Sequence, residues 1–324
     1  MASTVTYIIG NGLDLSIGLD TSYRNFYDYV RANNLHPKNK IYEAIQNDPE
    51  TWADFEIALG RYTWFLQDIS EKRRKKESID FHNELDQVIE DLADYLEIEE
   101  KKIEDKAVKT EFTRDGFYEE LPSGQRLKIS PYVNSGPLAI NFVTLNYTNT
   151  LEKILPNRNV HLMNINAVIR SIHHLHGDLY ENVTLGVSDE SQLFGDMPSG
   201  ERDDLIKPRL IASMNDDRLE TFDRLIDASS VLVLYGTSIG ESDKYIWRHI
   251  VSWLAFDEDR YIIVHRHDST YSEKTKRLPR RQKLFIRAVQ DNLLTYSDLD
   301  DDELDELRSR ILVIHNTKKL LAKK

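Results

Sequence analysis

Val5-Thr6-Tyr7-Ile8-Ile9-Gly10-Asn11-Gly12 is an apolar run that ends on two glycines flanking an asparagine. Its β-branched and aromatic residues read as a buried strand, and a strand apolar on both sides belongs in a parallel sheet covered by helices. Glycines placed directly after such a strand let a backbone approach a phosphate or ribose with no Cβ in the way. A third glycine, Gly18, comes too late for the dinucleotide fingerprint G-x-G-x-x-G, so the motif alone also fits a plain strand-to-loop turn.

Outward from this stretch, residues 138–145, 231–235 and 261–265 read as further buried strands, with weaker ones at 168–175 and 311–314. Helical patterns alternate with them. Tyr23, Phe26, Tyr27 and Val30 mark the first helix, with Thr21 or Ser22 as its cap. From Trp52 to Asp105, two longer apolar stripes predict a helical insertion, about residues 52–108, packed beside the sheet or forming a lid. Gly116, Pro122, Gly124, Pro131 and Gly136 give residues 115–136 the look of irregular structure or a hairpin. The expectation is one α/β domain over 1–324, a Rossmann-like, doubly wound and mostly parallel sheet with a helical insertion.

Composition narrows the function. The 324 residues hold 42 Lys and Arg against 55 Asp and Glu, a net charge of −13 that opposes a broad nucleic-acid surface. Basic runs at 72–76 and 274–283 are read as solvated helix faces. Without cysteine there are no disulfides, thiol nucleophiles or cysteine-zinc sites. Residues 5–9 are too short for a signal peptide or a span, and no later run approaches about 18 apolar residues, so a cytoplasmic protein without a membrane contact is expected.

Polar residues cluster where the strands end. Asn146 follows residues 138–145, His176-Gly177-Asp178 follows 168–175, and Gly236-Thr237-Ser238 follows 231–235. In an open parallel sheet those junctions share one crevice, and Asp14 and Asp243 would add two carboxylates to it. Read bottom-up, His176 titrates near neutrality and can act as a general base. Asn146 fits a helix cap with Glu152 completing a capping box. Glu56, beside an apolar helix face, fits an internal salt bridge better than catalysis. His174, His176 and Asp178 could alternatively hold a metal.

Gly10-Asn11-Gly12-Leu13-Asp14, Gly18-Leu19, Thr21-Ser22-Tyr23, Trp52 with Glu56, Thr144-Leu145-Asn146-Tyr147-Thr148, His176-Gly177-Asp178 and Tyr235-Gly236-Thr237-Ser238-Ile239-Gly240 ahead of Asp243 together resemble the AbiH abortive-infection proteins of bacteria, over about residues 5–250. More distantly, the same stations resemble the sirtuin-type (SIR2-like) fold of NAD-consuming enzymes. That resemblance implies that NAD is bound as substrate, with no metal, by Gly10, Gly12, Gly236, Thr237 and Ser238, and Asn11, Asp14 and Asp243, which the strand ends bring to the same crevice, complete the expected nucleotide-binding set. It also implies that Asn146 contacts the nicotinamide ribose and His176 is the catalytic imidazole. Thr148 stands where sirtuin deacetylases carry an acid, and their cysteine-zinc module is missing, so deacetylation is not expected. The resemblance implies an anti-phage effector that hydrolyses NAD. The alternatives are a nucleotide-sensing or partner-binding module without turnover and a metal-dependent nuclease or phosphoesterase. A homo-oligomer or a partner defence protein is left open.

Overall fold

A computed structural model describes residues 3–105, 110–112, 115–134, 136–155, 167–272, 274–318 and 320–323. Six strands form the central sheet: β1 (Ser3–Ile9), β3 (Leu138–Thr144), β4 (Ala167–His174), β5 (Val231–Tyr235), β6 (Tyr261–Arg266) and β7 (Ile311–His315). Every pairing is parallel, in the order β4-β3-β1-β5-β6-β7. The chain runs from β1 outward through β3 to β4, then returns to the other side of β1 for β5, β6 and β7. This is the doubly wound, Rossmann-like order, and its topological switch point lies between β1 and β5. A short antiparallel pair, β2 (Thr110–Phe112) with β8 (Leu321–Lys323), joins the middle of the chain to its end.

The run around β1 is mostly apolar because both of its faces are covered. Val5, Tyr7 and Ile9 pack in one core with Phe117, Ile129, Val133 and Leu151. Ile8 faces the opposite core, built from helices Arg218–Asp227, Lys244–Phe256, Pro279–Leu294 and Asp301–Arg308. Each aliphatic side chain so buried stabilises the fold by about 1.5–3 kcal/mol.

A third core belongs to the helical block. Phe26, Val30, Ile41 and Tyr42 of helices Tyr23–Asn33 and Lys40–Asn47 share it with Trp52, Phe55, Leu85 and Leu92. Ser22 caps the first of these helices by accepting from Asn25 N at 3.2 Å, one of the two caps expected. The second apolar stripe lies on a single helix of 35 residues, Glu71–Asp105.

Residues 115–136 depart from the expected loop or hairpin. After a turn at 115–120 they form the helix Ser123–Asn134, with Pro131 inside it. Pro131 leaves the Leu127 carbonyl without its helical partner, but Leu127 is 74% exposed and water can serve that carbonyl. Ile129 and Val133, one turn apart, bury against the sheet and hold the helix despite its glycine and proline. Among the described residues no helix is long and apolar enough to cross a membrane. The basic runs lie mostly on exposed surface, as expected.

Candidate functional site

The strand register brings the polar junctions together. His174, Thr144, Ile9, Tyr235, His265 and Ile314 stand abreast across the sheet. Two residues further along each chain come His176, Asn146, Asn11, Thr237, His267 and Asn316, and all six line one cleft of about 930 Å³. It sits at the carboxyl edge of the sheet over the switch point, roofed by Tyr23, Asp54, Leu92 and Leu96 of the helical block. The ten residues singled out above as catalytic or nucleotide-binding all line it. Glu100 ties the roof to the strand ends, accepting from Asn149 N at 2.6 Å and pairing with Lys153 at 3.0 Å.

The glycines also have a structural task. Gly12 N donates to Gly236 O at 2.9 Å, and Gly10 N donates to Tyr235 O at 3.0 Å. A Cβ on Gly12 would lie 2.5 Å from Gly236 Cα, and one on Gly10 would lie 2.7 Å from Gly236 O. These glycines let the β1 and β5 loops touch backbone to backbone, with Gly236 itself at φ +70°. A short helix, Gly12–Ser16, starts at once, earlier than the expected first helix at Tyr23. The Asn11 side chain is engaged on both ends by Thr21, donating to its carbonyl at 3.0 Å and accepting from its hydroxyl at 2.5 Å. In the other loop Ile239 adopts φ +55°, a strained setting for a β-branched residue, where Tyr296 Oη donates to its carbonyl at 3.1 Å. This bend places Thr237 and Ser238 on the cleft.

Asp14, in the first turn of the short helix, is buried at 1% exposure. Thr148 Oγ1 donates to its Oδ2 at 2.7 Å and Asn146 Nδ2 to its Oδ1 at 3.3 Å. Burial pushes its carboxyl up to about 6 against the opposing pull of these bonds. Asn146 is therefore not the expected helix cap. The helix Thr150–Ile154 begins after Asn149, and Glu152 pairs with His174 Nε2 at 3.0 Å in place of closing a capping box.

His176 stands in a buried ionic cluster. Its Nε2 is 3.2 Å from Tyr245 Oη and 3.3 Å from Asp243 Oδ1. Desolvation lowers its pKa to about 4, outweighing the opposite influence of Asp243, so the ring is neutral at physiological pH. The expected titration near neutrality is corrected by this burial. Behind it, Lys207 is fully buried, with Nζ 2.6 Å from Asp243 Oδ1 and 2.9 Å from Glu56 Oε1. Glu56 is thus the internal salt-bridge partner that its apolar setting suggested. Burial raises Glu56 to about 7 despite Lys207, whereas for Asp243 the ammonium overcomes desolvation and lowers the pKa.

The metal alternative loses its geometry. His174 contacts Asn146 O and Glu152, while Asp178 accepts from the backbone N–H of Tyr180 and Glu181. Among the described residues no three His, Cys, Asp or Glu side chains converge as metal ligands. Lys207 and Tyr245 were missed by sequence reasoning. Lys207 sits 151 positions from Glu56, and no periodicity connects the two. The one available signal was the helix start Lys207-Pro208, with proline at its first turn.

No curated protein matches the chain. The family model described as "Bacteriophage abortive infection AbiH" matches residues 6–265, which include the carboxyl ends of β1 and β5 at the switch point. On that match the chain belongs to the AbiH family, and with it to phage abortive-infection defence.

Proposed function

We propose that the cleft binds NAD and hydrolyses its nicotinamide–ribose bond, so that the protein acts in abortive infection by consuming NAD. The observation that carries this reading is the placement of a buried carboxylate and amide, Asp14 and Asn146, at the switch point of a doubly wound sheet, the position where such folds take nucleotides. The glycine-tightened loops of β1 and β5 suit the pyrophosphate, with Thr237 and Ser238 as hydroxyl donors.

In the reaction the glycosidic C–N bond breaks with its electron pair passing to the nicotinamide ring, and water adds to the ribosyl carbon and gives up a proton. Positive charge develops on the ribose as that bond lengthens. Ionised Asp14 would stabilise it, and Asn146 would hold a ribose hydroxyl. Thr148 does not supply the acid found at that place in sirtuin deacetylases, but it holds the Asp14 carboxylate beside Asn146. Neutral His176 can accept the proton through Nε2, with Asp243 facing the imidazolium formed.

The test is incubation of purified protein with NAD, with and without chelator, following free nicotinamide. Chelator-resistant release is expected. Binding without release would make the cleft a sensor, and release abolished by chelator and restored by a divalent metal would overturn the mechanism.

A further inference from the structure

The end of the cleft at β6 and β7 is not used by the reading above. It is formed by Arg266, His267, Asn316 and Thr317. Arg266 is half-buried, and among the described residues it has no carboxylate partner. The two nearby acids in sequence and space are committed elsewhere. Asp268 accepts from Thr270 N at 2.8 Å and Thr270 Oγ1 at 2.6 Å. Glu120 accepts from the Thr317 hydroxyl and from Lys318 N at 2.9 Å. Asn316 fixes the loop after Arg266, donating to Asp268 O at 2.8 Å and Tyr271 O at 3.0 Å and accepting from Asp268 N at 2.8 Å. His265, on the opposite face of β6, donates through Nε2 to Phe117 O at 3.0 Å, and among the described residues its buried Nδ1 has no partner.

We propose that this end is a phosphate subsite that reads a phosphomonoester on the adenosine ribose, so that the ligand is a phosphorylated nicotinamide dinucleotide, NADP+ ahead of NAD+. The proposal rests on the dinucleotide reading of the cleft. Asn146 follows β3 and Arg266 ends β6, strands three places apart in the order β3-β1-β5-β6, a span of about 14 Å at roughly 4.8 Å per strand. A dinucleotide with its nicotinamide ribose at Asn146 and its pyrophosphate over Gly236 to Ser238 brings its adenosine ribose to β6. Sites for an unphosphorylated ribose put a carboxylate there to accept from the 2′-hydroxyl, whereas sites for the 2′-phosphate put an arginine. The planar guanidinium matches a phosphate with two parallel hydrogen bonds. The chain that follows Arg266 also carries Lys274, Lys276, Arg277, Arg280, Arg281 and Lys283, an exposed cationic segment in a molecule of net charge −13. That segment favours the approach of a more highly charged anion to this end of the cleft.

Calorimetry on the full chain with NAD+, NADP+, adenosine 2′,5′-bisphosphate and 5′-AMP tests the proposal. Wild-type protein should bind NADP+ about tenfold or more tightly than NAD+, the scale of one charge-assisted bidentate contact. Arg266→Gln should bring that ratio close to one, and Arg266→Lys should restore part of it. The wild-type ratio needs no mutant, so a folding defect cannot hide the answer. Equal wild-type affinities, or a preference that survives in a folded Arg266→Gln protein, would overturn the subsite even if NAD+ is bound and cleaved. Arg266-dependent binding of the bisphosphate over 5′-AMP, with neither dinucleotide bound, would sustain the subsite and overturn the dinucleotide reading.

Discussion

Lys207 Nζ lies 2.6 Å from Asp243 Oδ1 with no solvent access, and Glu56 shares the same ammonium from the other side. Two carboxylates thus face one cation, and the two partners are not equivalent. Lys207→Met would leave both acids buried without a counter-charge, and a loss of about 3–5 kcal/mol is expected in denaturant unfolding. Glu56→Gln keeps one acid for one base and retains an acceptor for Gly186 N, which bonds Glu56 Oε1 at 3.2 Å. Its expected cost is below about 1 kcal/mol. Equal losses in the two variants would show that the charge balance of the cluster is not what holds it.

Gly12→Val is expected to disrupt folding before it affects a ligand. The added side chain would start 2.5 Å from Gly236 Cα, and a backbone atom cannot rotate out of the way. A loss of about 2 kcal/mol or more is expected, in the range of overpacking. Gly236→Ala should be destabilising as well, because φ is +70° and its Cβ would meet Leu13 N at 2.8 Å. A Gly12→Val protein with an unchanged melting temperature would show that the two loops are looser than the distances say.

Asp14 should make stability depend on pH. Its carboxyl is raised from 3.8 to about 6, so between those values the folded state holds a proton that the unfolded chain has released. Stability should fall as pH rises through this window, by about 2–3 kcal/mol in all. Glu56, raised to about 7, adds a slope of the same sign. Asp14→Asn should lose its part of the slope and melt higher than wild type at pH 7.5. Parallel pH curves for the two proteins would remove Asp14 as a source of the dependence.

The strands could be read from sequence because both faces of the sheet are covered, which leaves β1, β3, β5 and β6 mostly apolar. The convergence of Asn146, His176 and Thr237 followed from parallel pairing alone, since equal offsets past aligned strands reach one edge. What escaped was set by contacts between distant parts of the chain. Pro131 looked like a helix breaker, but a helix exposed at Leu127 and buried at Ile129 and Val133 tolerates it. Asn146 looked like a cap because its pull toward Asp14, 132 positions earlier, leaves no local trace. The near-neutral pKa expected of His176 failed for a similar reason, since nothing in the residues beside it announces full burial.

Asn146 and His176 reach one cleft from strands β3 and β4, and the proposed hydrolysis asks them to act in a single step. Asn146→Ala and His176→Ala should each abolish nicotinamide release, and the double variant should be little worse than either, because residues serving one step are strongly non-additive. Stability has to be followed in parallel. Asn146→Ala takes one donor from Asp14 and should push that carboxyl higher still, so it should also narrow the pH range of folding. The pH profile separates the two roles. His176 is already neutral above about 4 and should leave no break near neutrality. The acid limb should instead lie near 6, where Asp14 ionises. It should disappear in any residual activity of Asp14→Asn and move to higher pH in Thr148→Val, which removes a donor that holds the carboxyl down. Full release by a well-folded His176→Ala protein would remove the histidine from the chemistry. A limb near 6.5 that vanished with His176 and not with Asp14 would reverse the assignment of the two groups.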